Sequence, residues 1–146
     1  MPVDAVAGIS VTDDGRLLGV MMVCGHRIDG ATLYMDGVDA DEAATVGSWT
    51  ADRPLHTGLA TWPLESPAVG WTATTALAPL TARTTYALYG WTEGDSWSSA
   101  NVTFTLSDRD RLTPGSVLYQ SVSDDGEEST ATVPLTAFER DACRHD

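Results

Sequence analysis

The sequence contains no lysine, and its 8 basic residues are all arginines. Against them stand 21 acidic residues, so the formal net charge at pH 7 is −13. A chain with this charge repels the phosphates of nucleic acids and the anionic headgroups of lipids. We therefore expect neither nucleic acid nor a membrane as a partner, and another protein, of basic character, fits the charge better.

Long apolar runs are also missing. No run reaches the length of about 18 residues that a membrane-spanning helix needs. Residues 1–10 contain no basic residue ahead of an apolar segment, so the sequence predicts no secretory signal. The expected location is the cytoplasm, or outside the cell if the chain is a mature form whose signal has been removed.

The usual motifs of catalysis are absent from the sequence. It has no G-x-S-x-G nucleophile elbow, no phosphate-binding loop and no dinucleotide fingerprint. An enzyme of another type would need a pocket in which His26 or His56 meets a carboxylate. We therefore predict no catalytic residue and no cofactor.

Short segments rich in β-branched and aromatic residues recur along the chain, separated by turn residues, while helical periodicity is almost absent. The segments 6–11 and 17–24 flank an Asp-Gly step, which is typical of a β-hairpin. The segments 84–92 and 101–106 have the strongest strand composition. This pattern predicts an all-β domain, an antiparallel β-sandwich of about 7–9 strands.

The chain has the length of one domain, with 146 residues. We predict a single sandwich over residues 1–122, with its core in residues 5–106. Residues 123–146 are expected to form an acidic C-terminal extension, partly disordered or folded as a short helix or strap over 133–143.

The segment from Leu80 to Tyr86 resembles the signature of fibronectin type III domains, in which Leu, Pro, Thr and Tyr alternate. The resemblance implies a fibronectin type III-like or immunoglobulin-like sandwich. Leu80 would then fill the core, Thr84 would start a strand, and Tyr86 would be the corner tyrosine whose hydroxyl bonds back to the backbone. Ala82 and Arg83 depart from the proline and glycine that the family prefers, and the family's tryptophan in the second strand is missing.

Strand alternation predicts an aromatic surface. If Tyr86 points into the core, Tyr89 and Trp91 point outward, and Tyr34 does the same on another strand. Trp97 lies in the adjacent loop. These residues are candidates for a protein interface. Two alternatives remain open: the C-terminal tail or another strand covers this face, or the face binds a small ligand such as a sugar.

The two cysteines each precede a histidine by two positions, in Cys24-Gly25-His26 and Cys143-Arg144-His145. Three states are open for them. The set Cys24, His26, Cys143 and His145 has the ligand types of a zinc site, although not the usual spacing. The second open state is a disulfide between the two cysteines, which needs an oxidising compartment. Because no signal for such a compartment is present, we expect two free thiols.

Carboxylates are concentrated in the segment 36–42, where Asp36, Asp39, Asp41 and Glu42 are calcium-ligand candidates. The alternative is a solvated acidic loop, and we predict no resident metal.

Together these features predict a non-catalytic protein-interaction domain. The alternatives are a binder of a carbohydrate, calcium or zinc, and an enzyme of unrecognised type. The 19 threonines and the absence of lysine indicate the GC-rich genome of a bacterium, or adaptation to salt.

Overall fold

The structure is a computed structural model that describes residues 3–25, 27–35, 45–93, 98–122 and 128–143. The predicted all-β class is confirmed, because these residues form eleven strands and two short helices. The elements are β1 Val3–Val11, β2 Leu17–Val23, β3 Ile28–Met35, β4 Thr45–Leu55, β5 Gly58–Pro63, β6 Trp71–Thr75, β7 Tyr86–Trp91, β8 Ser98–Ala100, β9 Val102–Phe104, α1 Leu106–Arg111, β10 Ser116–Val122, β11 Glu128–Pro134 and α2 Leu135–Asp141.

The strands form two antiparallel sheets. One has the order β5-β2-β1-β10-β11, and the other has the order β6-β4-β3-β7-β9. The sheets are connected through β8, which pairs with β7 and runs parallel to the first half of β1. The strand count exceeds the predicted range because β8 and β11 were not expected as strands.

The β1–β2 hairpin forms where the Asp-Gly step predicted it. Gly15 has φ of 80°, a conformation that suits glycine far better than other residues. Its N–H donates to the Thr12 carbonyl at 2.9 Å, which closes the turn. Both strands of the hairpin are largely buried. β1 belongs to the first sheet and is also bonded to β8, which connects it to the second.

The two sheets share one core. A Cβ atom added to Gly90 of β7 would lie 2.7 Å from Cε of Met21 in β2, so the sheets approach closely at this point. Nearby, the Trp62 ring of β5 stacks on Trp71 of β6 with 4.2 Å between ring centroids. Trp49 of β4 meets the same Trp62 ring edge-on at 6.4 Å. This packing of one sheet on the other makes the fold a β-sandwich.

Residues 128–143 are integrated into this sandwich. β11 pairs with β10 along its whole length, so the boundary predicted at residue 122 lies within a β-hairpin. Phe138 of α2 is completely buried against Val6, Val20 and Val117 on the outer face of the first sheet. α2 lies within the segment 133–143, for which the sequence left a short helix or a strap open.

Cys24 and Cys143 form a disulfide, so the expectation of two free thiols is wrong. The β10–β11 hairpin and α2 return the chain to the end of β2, where the two Cα atoms are 5.5 Å apart. The bond also corrects the zinc hypothesis, because neither sulfur is available as a thiolate. The other two candidates of that set, His26 and His145, lie outside the described residues.

The short helix α1 begins with a capping box. The Thr105 hydroxyl accepts from the Asp108 N–H at 3.2 Å, and the Asp108 carboxylate accepts from the Thr105 N–H at 2.9 Å. Partial burial opposes ionisation of Asp108, but the bonds from Thr105 and the Arg111 guanidinium outweigh it and hold the pKa of Asp108 below its usual value. The carboxylate therefore stabilises the folded state when it is ionised.

Replacement of Asp108 by asparagine is expected to lower the free energy of unfolding at pH 7 by about 1 kcal/mol. A lowered pKa in the folded state means that the stabilisation is fully present above the ordinary value of 3.8 and is lost as pH falls through the lower folded value. The difference between wild type and Asp108→Asn should shrink in urea titrations below about pH 4. A difference that stays constant down to pH 2 would contradict this assignment.

Candidate functional site

The register between β3 and β7 brings three of the four predicted interface residues onto one face. Thr32 of β3 pairs with Tyr89, Gly30 with Trp91, and Tyr34 with Ala87. Side chains of alternate residues point to the same side of a sheet. Tyr34, Tyr89 and Trp91 therefore share the outer face of the second sheet, and all three are partly exposed. We call Thr32, Tyr34, Tyr89 and Trp91 the aromatic face. Trp97 lies outside the described residues.

Trp91 leans over β3 rather than standing away from the sheet. Its Nε1–H donates to the Thr32 hydroxyl at 3.0 Å. A Cβ atom on Gly30 would lie 2.4 Å from Cζ2 of the indole, so the ring occupies the space that a side chain would need. Glycine at position 30 leaves room for the ring, and the hydrogen bond to the Thr32 hydroxyl holds the ring in place. Part of the Trp91 surface remains exposed to solvent.

Tyr34 and Tyr89 form an edge-to-face pair beside it. Their ring centroids are 5.8 Å apart and the planes meet at 72°. The Asn101 amide donates to the Tyr34 hydroxyl at 3.3 Å. Such contacts restrict the orientations of the two rings in the folded chain.

Hydroxyl groups continue the same face across β4 and β6. Ser48 and Thr50 pair with Thr32 and Gly30 of β3, and Thr72 of β6 pairs with Thr50. The hydroxyls of Ser48 and Thr32 are 3.2 Å apart. The outer face of the second sheet is therefore aromatic over β3 and β7 and rich in hydroxyls over β4 and β6.

The described C-terminal residues lie elsewhere. β10, β11 and α2 extend and cover the first sheet, where Phe138 is buried. The aromatic face belongs to the second sheet and remains partly exposed. Within the described ranges, the alternative that the tail covers this face does not apply.

The residues of the predicted corner also come together. Leu80 is partly buried against the core, and Tyr86 begins β7. Thr84 lies two residues before that strand and does not start it, contrary to the prediction. The Thr81 N–H donates to the Tyr86 hydroxyl at 2.7 Å. Burial opposes ionisation of this hydroxyl, but its hydrogen bonds with Thr81 and Thr84 outweigh that effect and hold the pKa of Tyr86 below its usual value.

A groove that the sequence did not indicate lies beside the edge strand β6. It has a volume of about 610 Å³ and is lined by parts of β4 and β6, by the connections before and after β6, and by α1. Most of its lining is apolar, with Trp49, Trp71 and Leu80 in the walls and Glu65 and Arg109 as charged members. Most of its lining residues lie between positions 63 and 80, and Trp49, Leu106 and Arg109 join them only in the folded chain.

The predicted metal and catalytic candidates do not assemble in the described part of the chain. No group of three or more His, Cys, Asp or Glu side chains with a metal-binding arrangement occurs there. Asp36, Asp39, Asp41 and Glu42 all lie outside the described residues. His56 is exposed and is not part of the groove lining.

Comparison with protein-family models, curated proteins and solved structures finds no match. Neither helix of the described residues is long and apolar enough to cross a membrane.

Proposed function

We propose that this β-sandwich is a non-catalytic binding domain whose aromatic face contacts a basic protein. The observation that supports it best is the group of ordered, partly exposed rings on a sheet that the described C-terminal residues leave uncovered. Tyrosine and tryptophan are enriched among the residues that dominate the binding energy of protein interfaces. A face built on two central strands is also rigid, which favours specific recognition.

The negative net charge of this chain supports a basic partner. The net charge of −13 attracts cationic surfaces and increases their rate of encounter. In the sequence, the connection between β3 and β4 carries Asp36, Asp39, Asp41 and Glu42, and Glu93 follows β7. Carboxylates therefore follow both strands of the aromatic face in the sequence. Because salt screens the attraction between opposite charges, binding of a basic partner should weaken as the salt concentration rises.

We further propose that the sandwich is of the fibronectin type III-like or immunoglobulin-like type. The bond from the Thr81 N–H to the Tyr86 hydroxyl supports this, because a tyrosine in that family makes the same kind of bond to the backbone upstream. The pairing of β2 with β5 and of β3 with β7 also suits that type of sandwich. The extra strand β6 and the added β10–β11 hairpin are departures from it.

The disulfide favours an oxidising compartment as the place of action. Such bonds persist outside the cytosol and are rare within it. We therefore propose that the domain works outside the cytoplasm, in contrast to the location expected from the sequence.

A carbohydrate is the second candidate ligand of the same face. The hydroxyls of Thr32 and Ser48 beside Trp91 favour it, since sugars stack on aromatic rings and exchange hydrogen bonds with such groups. Binding of glycans by the purified domain, with no protein partner present, would support this candidate over the first.

The double variant Tyr89→Ala, Trp91→Ala tests the proposed face. A partner captured from the source lysate is to be purified, and its dissociation constant measured by calorimetry at low and high salt. We expect the double variant to bind at least about 30-fold more weakly, which corresponds to one interface residue of large effect. Circular dichroism must show that the variant is folded.

A matched control is Val69→Ala, which removes a fully exposed apolar side chain in the connection between β5 and β6. It should bind the partner as tightly as wild type. Equal affinities of the control and the double variant would place the interface on another surface.

A further inference from the structure

We propose that the groove beside Trp71 binds a small organic cation with an apolar body, such as an aromatic or alkyl ammonium compound. This site is separate from the aromatic face, and the proposal does not depend on the proposed function. It is carried by the shape of the groove, the arrangement of its tryptophans and the balance of its charges.

The size and lining of the groove fit a small molecule. Its volume of about 610 Å³ lies within the usual range of ligand pockets, which is roughly 300–1,000 Å³. Three prolines and several alanines and leucines line it, while charged members are few. An apolar ligand body would be transferred from water to an apolar surface there, which is favourable.

The tryptophans form a supported aromatic wall. Trp71 stacks on Trp62 at 4.2 Å between centroids with only 17° between the planes, so Trp62 covers one side of the Trp71 ring. Trp62 is almost completely buried and lies against Trp49 as well. Trp71 is held in place from behind, is partly exposed, and lines the groove together with Trp49. Tryptophan is the aromatic side chain that attracts cations most strongly.

The charges of the groove favour a cation over an anion. Glu65 lines it and accepts a hydrogen bond from the Leu17 N–H through Oε2 at 2.6 Å, which positions the carboxylate. The positive charge of Arg109 is balanced by Asp110 at 3.2 Å. The remaining local charge is negative, and it has the same sign as the net charge of −13.

Benzyltrimethylammonium is a suitable probe, because it joins an aromatic ring to a permanent positive charge. Benzyl alcohol and benzoate provide neutral and anionic probes of similar size. Titration of the full chain, followed by calorimetry and by tryptophan fluorescence, should give saturable binding of the cation, with the alcohol at least about 10-fold weaker and benzoate weaker still. Equal binding of the cation and the alcohol, or no binding of the cation at 10 mM, overturns the proposal.

Two variants of equal net charge locate the site. Glu65→Gln removes the carboxylate charge, yet its amide oxygen is still able to accept the Leu17 N–H. We expect it to weaken benzyltrimethylammonium binding by about 10-fold. Glu139→Gln makes the same change in net charge on the exposed surface of α2, outside the groove, and should leave binding unchanged. Equal weakening by both variants would show a general charge effect and overturn the assignment to the groove.

Discussion

Replacement of Trp62 by alanine is expected to lower the free energy of unfolding by about 3–5 kcal/mol. Trp62 is 1% exposed and joins the two sheets through its contacts with Trp49 and Trp71. A Cβ atom on Gly19 would lie 2.6 Å from its ring, so the indole fills the space directly above that glycine. Its removal leaves a cavity that the rigid strands around it can close only in part. Urea titration followed by circular dichroism measures the loss.

Trp62→Phe is the informative companion variant. The Nε1–H of Trp62 is buried without a hydrogen-bond partner among the described residues. Phenylalanine removes that donor and retains an aromatic ring. Trp62→Phe should therefore lower the free energy of unfolding by clearly less than Trp62→Ala does. A loss below about 1 kcal/mol for Trp62→Ala would contradict the packing described for this residue.

Loss of the disulfide is expected to have the second large effect. In the double variant Cys24→Ala, Cys143→Ala, the free energy of unfolding should fall by about 2–5 kcal/mol. The bond joins residues separated by 119 positions, and closing so long a loop restricts the unfolded chain strongly. The bond also holds the end of α2 against β2, beside the cluster around Phe138. Denaturant titrations of the oxidised wild type and the double variant give the difference.

Reduction provides the control for the disulfide. Wild type in a reducing agent should match the stability of the double variant, because both lack the cross-link and differ only in two sulfur atoms. If the oxidised and reduced wild type unfold at the same denaturant concentration, the bond does not restrict the unfolded chain as expected.

The sequence predicted the structural features that depend on neighbouring residues. The Asp-Gly turn at Gly15 and the inward and outward alternation at Tyr86, Tyr89 and Trp91 depend on neighbouring residues, and the described strands carry them as the patterns indicate. The all-β class followed for the same reason. Even the position of Tyr34 beside Tyr89 follows from alternation once two strands are known to pair.

Features that depend on distant parts of the chain were not predictable in the same way. The pairing of Cys24 with Cys143 requires the path of β10, β11 and α2 to be known. β11 contains threonines and follows an acidic run, so its composition alone does not indicate a strand. It becomes a strand because it pairs with β10. The groove arises only when the residues around Trp49, Trp71 and Arg109 meet in space.

The disulfide also determines how the domain carries a mechanical load. Tension applied through the chain before Cys24 and after Cys143 passes across the bond, so residues 25–142 cannot be extended while it is intact. Every strand of the sheet that carries the aromatic face lies within this closed loop. Only β1 and β2 lie in the loaded path, and β1 is bonded to β2, β8 and β10. The sheet that carries the aromatic face therefore stays unstretched when the chain is pulled at these two points.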